Sequence, residues 1–566
     1  MGLLTRARNL AISLAGQPVI LLPAFIMLLV TAPMIGFGMP NYRDPFTESY
    51  EPLKTIKFLL GHGQDLHKWG PLQNFLYAPW YGAMIGYWKL TGTFGPPSHE
   101  YPYGLHEGLH QLSVLIVGAR IINLLLMSAG LTLATAGAAL LIQSGRWAAV
   151  VVAVVVASTP AYLQMCPDTN PEGTMFACIL AAVGFYLIML ARGPTRWTAI
   201  TCGAMCALAM SCKEQAIPAA AGMALGTIAV AWPRQSMRTA TVRLDFSVML
   251  RTIAHFAAGT ITTYLAVNVV YAPHAWFNRM RDLTTSGYMD PNVWSPGTGA
   301  FRLGPYTMET IHAVAVSLGL GGMVAVAFAA LLTPRWRSRE IAAGWIPMAT
   351  FIVIVFLKAR YMPAYFMCIS DALAIIPAAL AVRYLQAADR WRRWAARGAF
   401  LIAPLLLIGM TGPWQWMAMS SSSMVADYLD HHCRNGERFH LANLWRLLDG
   451  GEREKLRGLN PDARPLGIAL QDSTSPPELI IVQANLEGFL NDFQQNPKRA
   501  KMFSEQSGID YTGFRGFRAA GYRLVDSVSP RKFFPPAIGW LIPSDRNDIH
   551  VYRRVGAAPS TMSTVR

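Results

Sequence analysis

Apolar positions along this chain gather in runs of roughly 20 residues, the length a helix needs to cross a bilayer. They occupy 18–38, 113–142, 147–163, 174–191, 197–210, 216–231, 253–270, 310–332, 341–357, 364–382 and 400–416. Read by hydropathy, they predict about eleven transmembrane helices. One further stretch, 71–90, is apolar but aromatic, with Trp80 and Trp88. It reads as a helix lying in the outer membrane surface rather than crossing it. After residue 416 the pattern shortens. Strand-like runs appear at 466–470, 479–482, 522–525 and 550–553, and a helical period at 486–503. The expected fold is an α-helical polytopic membrane protein, a transmembrane domain over 1–416 followed by a small extracytoplasmic α/β domain over 417–566.

Charge orients this plan. Hydrophobic residues make up 53% of the chain and charged ones 14%, with a net charge of +16. The excess is mostly arginine in short loops, so it reports topology and anionic headgroups, and no nucleic-acid partner is expected. Arg6 and Arg8 precede the first run, which has no clean cleavage site after it and reads as a retained helix with a cytoplasmic N-terminus. Alternate loops then carry Arg146; Arg192 and Arg196; Arg234, Arg238 and Arg243; Arg335, Arg337 and Arg339; and Arg383 to Arg397. All of these fall inside if 71–90 does not cross. The opposite face collects the acidic and mixed loops, beginning with a long first loop, 39–112. The seven cysteines lie mostly in or beside apolar runs and show no zinc spacing, so they read as small core residues.

Acidic residues are scarce, and two stand four apart in that first loop, Asp44 and Glu48. With Asp44 as a cap and Pro45 in the first helical position, both carboxylates share roughly one helix face at the membrane surface. The same residues also make an ordinary helix start. Asp168 and Glu172, in Pro167-Asp168-Thr169-Asn170-Pro171-Glu172, have the same two readings. His106-Glu107-Gly108-Leu109-His110 fits H-E-x-x-H, which on a helix would set two imidazoles beside a glutamate base, as in a zinc metalloprotease. Transport is a third class. It calls for carboxylates inside spans, and Asp371 is the clear candidate.

Several weak motifs in order make the region 18–416 resemble the GT-C glycosyltransferase superfamily, particularly its protein O-mannosyltransferase-like and aminoarabinose-transferase-like members. The family's acidic pair in the first outer loop resembles Thr47-Glu48-Ser49-Tyr50, with threonine where aspartate is usual. Its Lys-Pro-Pro-Leu resembles His67-Lys68-Trp69-Gly70-Pro71-Leu72, with one residue inserted. Gly118-Ala119-Arg120, the Asp168 to Glu172 segment, Ala207-Leu208-Ala209-Met210-Ser211-Cys212-Lys213 and Arg360-Tyr361-Met362-Pro363 resemble its later motifs.

The resemblance implies an enzyme that moves a sugar from a polyprenyl-phosphate donor to a lipid, glycan or protein acceptor on the extracytoplasmic face, by inverting displacement. Asp44 and Glu48 are then the catalytic carboxylates. Lys68, Lys213 and Arg360 become the cations for the donor phosphate; without the resemblance they read as snorkelling side chains. Asp168 and Glu172 are additional acidic residues that a divalent metal (Mg or Mn) could bridge to that phosphate, though no metal-ligand spacing requires one. The arginine bias and the outer soluble tail suit a bacterial inner membrane.

Overall fold

The structure, a computed structural model, describes residues 18–32, 55–56, 70–96, 104–143, 169, 171–231, 246–271, 273–285, 338–358, 367–386, 437–442, 460–461, 475–483, 516–528 and 549–555, with single positions between them. Most of the expected spans 147–163, 310–332 and 400–416, and the strand expected at 466–470, lie outside these residues. The chain divides into two compact units, one built of apolar helices and one around a sheet.

In the helical unit the described elements are α1 (Leu22–Thr31), α2 (Leu72–Leu90), α3 (Gly108–Ile142), α4 (Pro171–Arg192), α5 (Arg196–Met210), α6 (Ile217–Ala231), α7 (Phe246–Tyr264, continued by a π-helix Leu265–Val270), α8 (Pro273–Thr285), α9 (Ser338–Lys358) and α10 (Met367–Gln386). Among the described residues, three helices are long and apolar enough to cross a membrane: His110–Ile142, Pro171–Arg192 and Phe246–Val270. The protein is therefore an integral membrane protein of mostly helical build. At 35 residues, α3 runs about 52 Å, well beyond a hydrocarbon core of about 30 Å.

Helix ends follow local chemistry. Arg192 closes α4, Gly193 takes a φ of 87°, and Thr195 caps α5 by accepting from Thr198 N at 3.2 Å. The helices α3 and α4 pack along a seam of small residues. A Cβ on Gly137 would stand 2.5 Å from Gly184 O, so the two backbones touch where side chains are missing. Helix α10 packs back onto both, and α9 joins it to α6. Threonine hydroxyls in these apolar helices are satisfied locally: Thr135 Oγ1 donates to Leu131 O and Thr227 Oγ1 to Met223 O. Thr174 Oγ1 reaches across to Asn123 Oδ1 at 2.7 Å. Arg120 is buried and donates to Ile35 O at 2.8 Å.

Helix α2 is not among the three spanning candidates. It buries a stripe, Gln73, Tyr77, Tyr81, Ile85 and Trp88, at helical spacing. Trp80 Nε1 donates to Leu115 O of α3. The chain then turns through Gly92 and makes a narrow pairing, Phe94 with Leu105, that delivers it to the start of α3.

The second unit holds β1 (Arg438–Ala442), β2 (Asn460–Pro461), β3 (Leu479–Gln483), β4 (Tyr522–Val528) and β5 (Ile549–Arg554), in the order β2-β1-β3-β5-β4. β1 runs parallel to β2 and β3, whereas β3–β5 and β4–β5 are antiparallel. Three of the expected strands are present, and β1 and β2 are additions. Alternation sets the faces: Phe439, Leu441, Leu479, Ile481, Ile549 and Val551 form one core with Val425 and Leu429.

Candidate active site

The turn joining α5 to α6 gathers buried polar groups from five segments. Helix α5 ends at Met210, Ser211 Oγ donates back to Ala207 O at 2.7 Å, and Lys213 adopts an extended backbone before the short 3-10 turn Glu214–Ala216. Successive side chains at an extended residue point apart. Lys213 and Glu214 accordingly reach different partners.

Lys213 pairs with Glu172, with side-chain exposures of 4% and 8%. Glu172 lies in the first turn of α4, where the helix dipole favours a carboxylate. Glu214 pairs with Arg279 of α8, a helix that leaves Phe277 exposed while burying this guanidinium. Burial pushes Arg279 down to about 10 from its ordinary 12.5.

Helix α2 docks on the same turn through its backbone. Gly70 N donates to Cys212 O at 3.1 Å and Leu72 N to Ser211 O at 3.3 Å. A Cβ on Gly70 would fall 1.8 Å from Ser211 O, so only glycine permits this approach. One turn on, Gln73 Nε2 donates to the Thr169 carbonyl and contacts Tyr77 Oη. From the other side, Asn268 Nδ2 donates to Ser211 Oγ at 2.7 Å and to Tyr264 O at 3.0 Å. Phe75 meets Tyr271 edge-on, with centroids 4.7 Å apart, tying α2 to the end of α7.

Of the residues singled out in sequence, the structure brings Glu172 and Lys213 together. Asp44, Glu48, Lys68, Asp168 and Arg360 lie outside the described residues. The H-E-x-x-H reading is not supported by the geometry. The helix begins at Gly108 with Glu107 as its non-helical cap, so His106 stands in the preceding turn and does not share a helix face with His110. Both histidines are exposed. Asp371 is fully buried in α10, and neither of its oxygens has a hydrogen-bond partner among the described residues.

No three His, Cys, Asp or Glu groups among the described residues stand together to hold a metal. Glu172, the described member of the proposed metal pair, already faces an ammonium. The described residues thus do not by themselves fit a divalent ion. Four members of the cluster escaped the sequence reading: Gln73, Glu214, Asn268 and Arg279. Glu214 had a signal, since a second charge beside Lys213 between two apolar runs needs a partner. The others lack one, because their burial depends on which helices meet.

The segment containing Glu172, Lys213 and α7 as far as Ile261 has relatives. Residues 106–261 match the dolichyl-phosphate-mannose-protein mannosyltransferase family. The superfamily resemblance drawn from scattered motifs is borne out over this mannosyltransferase-like segment. No curated protein matches the chain. Among solved structures it is similar to ArnT from Cupriavidus metallidurans bound to undecaprenyl phosphate, at 12% identity and a TM-score of 0.40, over 95% of this chain and 99% of that one. It is also similar to the Archaeoglobus fulgidus oligosaccharyltransferase in complex with zinc and sulfate, at 12% identity and a TM-score of 0.45, over 95% and 88%. The same archaeon's AglB with an inhibitory peptide and a dolichol-phosphate matches at 11% identity and a TM-score of 0.41, over 85% and 71%.

Proposed function

We propose that the protein is a GT-C glycosyltransferase that takes a sugar from a polyprenyl-phosphate carrier and passes it to a lipid, glycan or protein acceptor outside the cytoplasm. The observation that carries the reading is the buried Glu172–Lys213 pair inside the mannosyltransferase-like segment. An ammonium held out of water at a helix end is suited to developing phosphate charge, because a low-dielectric setting strengthens the attraction and requires little reorganisation.

In this proposal the acceptor attacks the anomeric carbon, the bond from that carbon to the phosphate oxygen breaks, and the configuration inverts. Asp44 or Glu48 takes the acceptor proton. Lys213, with Lys68 and Arg360, receives the charge of the departing polyprenyl phosphate, and Glu172 holds the Lys213 ammonium in position. Arg279 adds a fourth cation beside the same turn. The N-terminus is cytoplasmic and the domain 417–566 extracytoplasmic, an arrangement suited to a bacterial plasma membrane.

The test is to incubate purified full-length protein with labelled polyprenyl-phosphate sugars and envelope acceptors and follow release of lipid phosphate. Release that falls about a hundredfold or more in Asp44→Asn or Glu48→Gln, with both proteins intact, is the expected result, the size of a lost general base. Full turnover in both variants would remove these carboxylates from the mechanism. No release from any donor would refute the transferase reading itself.

A further inference from the structure

Two side-chain carbonyl oxygens on the helices that flank the Ser211–Gln215 turn, Oε1 of Gln73 and Oδ1 of Asn268, are buried without a hydrogen-bond partner among the described residues, as is Oε1 of Gln215 in the turn itself. Their neighbours fix which end of each amide is free. Thr169 O is an acceptor, so the Gln73 NH2 must face it. Ser211 donates its own proton to Ala207 O, so its Oγ accepts, and the Asn268 NH2 must face Ser211. Each amide is thus held by its nitrogen, and its oxygen is left over. The Asn268 amide bonds Ser211 Oγ directly, and Gln73 is brought to the same turn by its backbone neighbour Leu72, whose N–H bonds Ser211 O.

Buried acceptors are normally matched, and two unmatched ones beside one turn mark a place where a donor-bearing ligand completes the site. Asn268 is also the buried residue of a π-helix, a rare deformation that recurs at functional positions. A phosphate is the wrong ligand for this side, because it brings only oxygens to face carbonyl oxygens. Hydroxyl or ammonium groups are the right one.

We propose that Gln73 and Asn268 form a sugar-reading subsite, their free oxygens accepting hydrogen bonds from hydroxyl or ammonium groups of the sugar borne on the polyprenyl phosphate. The subsite rests on the proposed transferase function and adds specificity to it. Phosphate is held on the Lys213 side of the turn, and the sugar is read on the amide side.

The experiment measures binding of polyprenyl-phosphate mannose and polyprenyl-phosphate aminoarabinose, and of their monodeoxy analogues, to the full-length protein in detergent by tryptophan quenching. Wild type is expected to bind at least one analogue about tenfold or more weakly, since a polar site facing a missing hydroxyl is left unpaired. Asn268→Ala or Gln73→Ala should bind the parent about as weakly as that analogue and lose the discrimination. A melting temperature near that of wild type in each alanine variant guards against loss through misfolding. Indifference of wild type to every deoxygenation, or discrimination unchanged in both alanine variants, overturns the subsite alone. Failure of wild type to bind any such donor overturns the transferase reading, and the subsite with it.

Discussion

The two units each bury charge, and they treat it in opposite ways. In the sheet unit, Arg553 pairs with Glu437, and Glu487 takes both His550 Nδ1 and the Tyr552 hydroxyl. These contacts fasten two neighbouring segments, one before β1 and one after β3, to β5 and close on themselves. Around the Ser211–Gln215 turn there are two ion pairs, and also amide oxygens that accept no hydrogen bond among the described residues. A closed network is a fastening, whereas an open one carries a standing energetic cost that a bound ligand relieves. Function is therefore to be sought at the turn.

The sharpest way to break this comparison is to cut one pair in each unit. Lys213→Met leaves Glu172 buried and unpaired, and should cost about 3–5 kcal/mol of stability and at least a hundredfold in lipid-phosphate release. Adding Glu172→Leu should restore the melting temperature but not the turnover. If turnover returned with stability, Lys213 would be structural only. Arg553→Met should destabilise the sheet unit by a similar amount, about 3–5 kcal/mol by denaturant titration. There the double variant with Glu437→Leu should recover both properties, and persistent loss of turnover would show that the two units do not differ as argued.

Reactivity offers a milder probe. Burial, and then the nearby Glu437 carboxylate, push the Cys433 thiol up to about 11 from its ordinary 9.0. At pH 8 its thiolate is about a hundredfold scarcer than that of an ordinary thiol, so maleimide labelling should be slow and accelerate towards pH 11. Fast labelling at pH 8 would mean the sheet unit is wetter than described. The smallest expected effect is Gly70→Ala. Its methyl meets the Ser211 carbonyl and should cost about 1–3 kcal/mol while weakening donor binding through the displaced start of α2. Unchanged donor affinity would detach α2 from the site.

Hydropathy foretold helices closely where one property decides them. The expected 197–210 appears as Arg196–Met210, and 216–231 as Ile217–Ala231, because apolar length and caps are local. The strands at Leu479–Gln483 and Ile549–Arg554 were equally visible as β-branched runs. β1 was not, since Arg438 and His440 interrupt its apolar alternation and its place depends on β3 alongside. The site divides in the same way. Glu172 and Lys213 stand out as charges at the ends of apolar runs. Gln73 and Asn268 look ordinary in sequence and acquire meaning only through the helices that bury them. The H-E-x-x-H motif misleads because its spacing is chemical only if the helix includes both histidines, and the cap at Glu107 leaves His106 outside.

The π-helix at Leu265–Val270 carries a consequence for how this chain can change its length. Its wider turn holds one residue more than an α-helix would over the same rise. Deleting one residue there would let α7 relax into a regular helix over the same rise, with the elements beyond it kept in place and the wide turn that presents Asn268 removed. Asn268 would leave Ser211, while Arg279, on the helix that follows, would stay beside Glu214. A gap of one residue in the last turns of α7 thus spares the fold and costs this contact, whereas substitutions at the exposed positions there should be tolerated. Relatives that keep this site should vary freely in the letters of this segment and hardly at all in their number.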